Sequence, residues 1–171
     1  MADYLDRIGA GKILVDRSPL SYDWTPKTLV GRDDSLSELA SIFSQIESPD
    51  TSCKAVITGP VGSGKTVLTQ VFANDLRKHL EGRRKIVHVH VNCRNHPSGP
   101  QVLQQIAINL DERHPERGFS AGEMIQSIKR YLRTHSAHML LILDEVDVMI
   151  RRDSTDLIYR LLRIDEGQNE R

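Results

Sequence analysis

Gly59-Pro60-Val61-Gly62-Ser63-Gly64-Lys65-Thr66 is the stretch whose reading decides the fold. It fits G-x-x-x-x-G-K-[ST], a phosphate-binding loop that joins a strand to a helix. The glycines open backbone conformations that a Cβ would forbid, so successive N–H groups can turn inward around a phosphate. Lys65 carries a compact charge on a flexible stem that reaches the β- and γ-phosphates. Thr66 offers a hydroxyl to Mg²⁺. The helix opening here adds its N-terminal dipole to the same anion site. The flanks match the pattern. Ala55-Val56-Ile57-Thr58 is a short apolar, β-branched run that predicts a strand ending at Gly59. Beyond Thr66, apolar residues at Val67, Leu68, Val71, Phe72, Leu76 and Leu80 follow helical spacing, and Gly82 is placed to end the helix.

The bulk numbers bound what surrounds this loop. The chain has 171 residues, enough for one α/β domain that buries roughly 70% of its unfolded surface. Lys and Arg number 23 and Asp and Glu also 23, so overall charge argues neither for nor against a nucleic-acid partner. Cys53 and Cys93 form no C-x-x-C pair, which points to a reduced, cytosolic setting without a structural disulfide. No apolar run approaches the length of a membrane span, and the N-terminus lacks the basic-then-apolar pattern of a signal peptide.

In chain order, residues 1–30 carry Pro19, Tyr22, Trp24 and Pro26 with little periodicity and read as an ordered arm on the domain. A helix follows, with Leu36, Leu39, Ala40, Ile42, Phe43 and Ile46 on one face. Ser35-x-x-Glu38 reads as its capping box, with Asp33 or Asp34 as alternative caps. After the loop helix, Arg83-Arg84-Lys85 is a short basic knot. It reads as a solvated loop, with phosphate contact as the alternative. Lys85 to Val91 alternates as a strand, with His88 and His90 on one face and Val87, Val89 and Val91 on the other. His88, His90 and Cys93 invite a zinc reading, but a closed site needs about four ligands and no fourth is near. Two helices then separate this strand from the next. One carries Val102, Leu103, Ile106, Ala107 and Leu110; the other runs from about Ala121 to Thr134.

Met139-Leu140-Leu141-Ile142-Leu143 is apolar without alternation, as expected of a strand buried on both faces. It ends in Asp144-Glu145, which resembles Walker B. A carboxylate at a strand tip beside the phosphate loop can hold Mg²⁺, and the next one can polarise a water for in-line attack on the γ-phosphate. Asp147 is either a helix-start residue or a carboxylate behind that pair. Asp153, Ser154 or Thr155 can cap a last helix carrying Leu157, Ile158, Leu161, Leu162 and Ile164.

Over roughly residues 12–165 the chain resembles the nucleotide-binding base of the AAA+ ATPases. More narrowly, it resembles archaeal replication initiators of the origin-recognition and cell-division-control type. Pro19-Leu20-x-Tyr22 with Leu29-Val30-Gly31-Arg32 is similar to the adenine-side box, Gly59 to Thr66 to Walker A, and Leu143-Asp144-Glu145-Val146-Asp147 to Walker B. Val91-Asn92-Cys93-Arg94 and Leu157-Ile158-Tyr159-Arg160-Leu161-Leu162-Arg163 are the more specific parts of the likeness. The resemblance implies a P-loop NTPase fold, three-layer α/β/α with a mostly parallel sheet, incomplete at the C-terminus. Residues 1–30 are then an arm near the nucleotide site, and 31–171 the N-terminal part of the ATPase domain.

The resemblance also implies roles. ATP or ADP is held by Val30, Gly31 and Arg32 and by Gly59, Pro60, Val61, Gly62, Ser63, Gly64, Lys65, Thr66 and Val67. Mg²⁺ is held by Thr66 and Asp144, and the catalytic residues are Glu145 and Lys65. The implied partners are double-stranded origin DNA and the replicative helicase, in a cytoplasmic, nucleoid-associated setting without membrane. An inserted helix at about 100–111, flanked by Arg94, Arg113, His114 and Arg117, is implied as a DNA contact. In the family a further strand lies between the P-loop strand and the Walker B strand, followed by an arginine finger, a lid and a winged helix. Without them, slow or no hydrolysis and self-association through open strand edges are expected. The alternatives are an AAA+-like signalling or transport ATPase that does not act on DNA, and a non-catalytic nucleotide-binding module.

Overall fold

A computed structural model of the chain describes residues 24–26, 28–48, 51–115, 118–152 and 156–164. Two strands form the sheet: β1 (Lys85–Asn92) and β2 (Ala137–Asp144) pair in parallel, from Lys85 opposite Ala137 to Asn92 opposite Asp144. A parallel pair needs a long crossover, and α3 (Gly99–Leu110) and α4 (Ala121–Thr134) supply it. Upstream lie α1 (Asp33–Ile42) and α2 (Lys65–His79); downstream lie α5 (Val146–Arg152) and α6 (Asp156–Leu162).

The alternation in β1 decides the layering. Val89 and Val91 are buried in one cluster with Val102, Leu103 and Ile106 of α3 and with Met124 and Ile128 of α4, and Val87 packs against it. His88 and His90 take the other face, where His90 Nδ1 lies 3.4 Å from Gln70 Nε2 of α2. The sheet therefore sits between α3/α4 and α2, with α1 behind α2 through the Phe43–Phe72 edge contact (5.2 Å between centroids). This is the expected three-layer α/β/α arrangement. Both crossover helices start at boxes of the S-x-x-E/Q kind. Ser98 donates through N–H (3.2 Å) and Oγ (2.9 Å) to Gln101. Ser120 does the same to Glu123, at 2.8 Å for each bond.

Three sequence expectations change. Ala55–Thr58 is no strand: it has no ladder partner among the described residues, and Val56 is 88% exposed. Apolar, β-branched residues favour a strand only when a neighbour accepts their hydrogen bonds. The segment is tied down by Lys54 Nζ, which donates to Leu162 O at 2.7 Å. For the same reason β2 is not buried on both faces: Leu140 to Leu143 are half-buried, since only its β1 edge is paired among the described residues. The Ser35–Glu38 box does not cap α1, which starts three residues earlier behind Arg32. Asp33 and Asp34 fall in the first turn, where carboxylates suit the helix dipole. The helix at about 100–111 buries the apolar face its spacing predicts, with Val102, Leu103, Ile106, Ala107 and Leu110 all in the core. The arm's residues 1–23, Arg117 and the 153–155 cap lie outside the described residues. Of the arm's described part, Thr25 Oγ1 donates to Gln70 Oε1 at 3.2 Å.

Candidate functional site

The loop 59–66 has the backbone its glycines predict. Gly62 (φ +78) and Gly64 (φ +81) are left-handed, a region that costs a residue with a Cβ roughly 1–2 kcal/mol. Gly64 is the N-cap of α2 and brings no side chain, so the first-turn N–H groups face the loop uncapped. That is the anion cradle of a helix N-terminus. Lys65 Nζ folds back to donate to Gly59 O (3.0 Å) and Pro60 O (2.8 Å). Arg32 Nη2 donates to Ser63 O at 2.5 Å, so the Val30-Gly31-Arg32 segment braces the loop from outside, while Val30 itself is 98% exposed.

The decisive contact spans 78 residues of sequence. Thr66 Oγ1 donates to Asp144 Oδ2 at 2.7 Å. The hydroxyl at the start of α2 and the carboxylate at the tip of β2 thus share one site. A hydroxyl and one carboxylate side by side suit Mg²⁺, which takes one or two carboxylates and keeps much of its water. Thr66 and Asp144 would hold the ion, which would neutralise charge on bound phosphates. Zinc is a poor fit. Cys93 lies in the apolar cluster on the far face from His88 and His90. Burial, then the charges of Asp144, Asp147 and Glu145, push its thiol up to about 11. No group of three His, Cys, Asp or Glu suited to a metal occurs among the described residues. Burial, then His90 and Arg77, lowers the pKa of His88.

Glu145 stands where the strand turns into α5. Its φ is +51, and its N–H donates to Asp144 Oδ1 at 3.0 Å. A non-glycine residue held in this region marks strain that the surroundings maintain. Here Val146 packs on the core and Met149 is fully buried, which pins α5 just beyond it. The second surprise is its partner. Arg94 Nε lies 2.5 Å from Glu145 Oε2. Asn92 builds that contact: its Oδ1 accepts from Arg94 N–H at 2.8 Å, while Cys93 N–H donates to Asp144 O at 2.9 Å. The Asn92-Cys93-Arg94 run is therefore a turn that carries the parallel register past the strand ends and aims a guanidinium at Glu145. The resemblance groups Arg94 with Arg113, His114 and Arg117 around the inserted helix. Asp147 resolves as a helix-start residue, paired with Arg151 at 3.1 Å and exposed.

Sequence reasoning missed His90. Its Nε2 lies 3.7 Å from Asp144 Oδ2, and its other nitrogen faces Gln70. The signal was available: His90 is two residues before Asn92 and so shares its face of β1.

Residues 52–170 match the AAA domain family. The chain belongs to it. Among curated relatives, it is 32% identical over 156 residues to ORC1-type DNA replication protein 2 of Saccharolobus solfataricus, covering 89% of this chain and 38% of the relative. It is 31% identical over 169 residues to the protein of the same name from Sulfurisphaera tokodaii, covering 96% and 40%. The chain spans about two fifths of the length of these relatives. Among solved structures, the Aeropyrum pernix ORC1 protein in complex with DNA superposes with a TM-score of 0.78 at 26% identity, over 89% of this chain and 40% of that one. The ADP form of the Aeropyrum pernix ORC2 protein gives 0.78 at 23% identity, over 90% and 41%, a likeness of fold. The resemblance to AAA+ replication initiators drawn from the motifs holds. No described helix is long and apolar enough to cross a membrane.

Proposed function

We propose that this chain binds ATP or ADP with Mg²⁺ between the loop 59–66 and Asp144, as the nucleotide-controlled part of a DNA replication initiator. In that role it serves a protein that binds double-stranded origin DNA and helps recruit the replicative helicase. The observation that carries the nucleotide site is the 2.7 Å bond from Thr66 to Asp144, which makes one site of two distant motifs. The relatives support the rest: they are named ORC1-type DNA replication proteins, one structural neighbour was solved with DNA, and another as an ADP form. Val30, Gly31 and Arg32 would flank the base, and Lys65 would leave the carbonyls of Gly59 and Pro60 for the phosphates. Arg113 and His114, in the loop after α3, are described candidates for phosphate contact there, a contact that positions without reading sequence. The unpaired edge of β2 among the described residues supports self-association.

Turnover is slow in this proposal because Glu145, the group that would orient the attacking water, is held by Arg94. Calorimetric titration with ATP and Mg²⁺ tests the reading. Lys65→Ala is expected to weaken binding at least about tenfold, or ~1.4 kcal/mol. Equal affinity of the variant and the parent chain would overturn it.

A further inference from the structure

We infer that the end of the domain away from the nucleotide loop carries a second contact for duplex DNA, a backbone-phosphate groove at the α2–β1 corner. The inference rests on the DNA-binding reading above. A groove of about 570 Å³ is lined by Arg77, Lys78, Arg83, Arg84 and Lys85 with one lining carboxylate, Glu81, while Glu47 and Asp75 reach Arg83 and Lys78 from beside it. The whole chain is neutral, with 23 cations and 23 carboxylates, so this is a local concentration of charge. Two of the cations are fixed in place. Arg83 pairs with Glu47 and donates to His79 O at 2.5 Å, and Arg84 donates to Glu47 O at 2.5 Å. Arg77, Lys78 and Lys85 are exposed, and Lys78 lies 4.0 Å from the exposed Asp75.

Cations in the last turn of α2 also suit the helix dipole. That accounts for Arg77 and Lys78 but not for Arg83, Arg84 and Lys85, which lie beyond the helix and line the same groove. A protein partner would need an apolar centre to its interface. The groove offers only Ile86, which is 9% exposed. A phosphate backbone needs only the charge, since each neutralised phosphate releases counterions. The 15-residue helix α2 puts the groove about 22 Å from the nucleotide loop, so the two sites should not compete.

Binding of the chain to a random-sequence 30-base-pair duplex, measured by anisotropy from 50 to 200 mM salt, tests this. The Arg77→Gln/Lys78→Gln/Lys85→Gln variant should flatten the plot of log K against log salt by about 2–3, near 0.9 per lost phosphate contact. Glu81→Gln, which makes the groove more positive, should tighten binding at 50 mM salt. Nucleotide affinity should stay unchanged in both. If the parent chain binds duplex and neither variant alters slope or affinity, the groove is not a contact and the DNA reading survives. If the parent chain binds no duplex, the DNA reading falls for this chain, and the groove proposal with it.

Discussion

The two sides of the proposed nucleotide site are built differently. On one side, β1 and β2 with α3 and α4 close around fully buried Val89, Val102, Ile106 and Ile128, and the chain enters Asp144 and Glu145 from that packed body. On the other, residues 51–60 run up to the loop without a ladder, with Val56 and Val61 in solvent, and only α2 beyond them is anchored by Leu68, Val71 and Ala73. The contrast teaches where each half of the chemistry gets its precision. Asp144 and Glu145 are positioned by tertiary packing. The loop is positioned by its own glycines, by α2, and by two side-chain ties, Arg32 to Ser63 O and Thr66 to Asp144.

The widest expected difference uses the chain's own cysteines. Cys53 lies in the loose segment, half-exposed and with its thiol raised only by burial, whereas Cys93 is fully buried and raised to about 11. Under native conditions at pH 8, a thiol reagent should label Cys53 faster than Cys93 by a factor on the order of 10³ or more, because Cys93 reacts only through unfolding-like openings. Comparable rates would erase the contrast.

Truncation should follow the same line. Ile106→Ala empties a buried position and should cost about 2–5 kcal/mol in urea unfolding. Val56→Ala should stay within about 0.5 kcal/mol, as an exposed side chain does. A large loss from Val56→Ala would mean that segment 55–58 is packed in solution.

A smaller effect is expected at the junction itself. Arg94 is 71% exposed and Glu145 38%, so their pair is worth only about 0.2–1 kcal/mol. Arg94→Ala should therefore raise ATP turnover roughly two- to fivefold, and adding Glu145→Gln should remove the gain. A fall in turnover with Arg94→Ala would assign the guanidinium a helping role instead.

The smallest effect sits on the packed side. The backbone N–H of Ser120, then its hydroxyl, hold the Glu123 carboxyl below the ordinary glutamate range. A depressed folded value means that the contribution is present above the unfolded pKa, about 4.3, and is lost as pH falls through the folded value. Glu123→Gln should flatten the acid limb of the stability profile below about pH 4.3, with its small loss of stability present at pH 7 and gone at low pH. Identical acid limbs would show that the box is not formed in solution.

Much of this was legible in sequence because it is local. The period-two alternation of Lys85–Asn92, the apolar spacing of α2, α3 and α4, and the glycines of the loop each report their own backbone. The failures at Ala55–Thr58 and at β2 are failures of context, since a ladder depends on a neighbour that the run itself does not specify. Arg94 was visible as a charge but not as Glu145's partner. That pairing depends on the register of β1 against β2 and on the Asn92 turn, both set by tertiary structure. Asp144 could be matched with Thr66 from sequence only through the resemblance, and the fold supplies the 2.7 Å contact that gives it physical content.

The central claim is that loop and strand tip form one Mg²⁺-nucleotide site. A double-mutant cycle in ATP affinity, with Thr66→Ala, Asp144→Asn and both together, measured with and without Mg²⁺, tests it most directly. The account predicts that Mg²⁺ tightens ATP binding by the parent chain, that either single substitution removes most of that gain, and that the double variant loses little more, a coupling of about 0.5–3 kcal/mol. Additive losses, or a Mg²⁺ effect that survives Asp144→Asn, would contradict it.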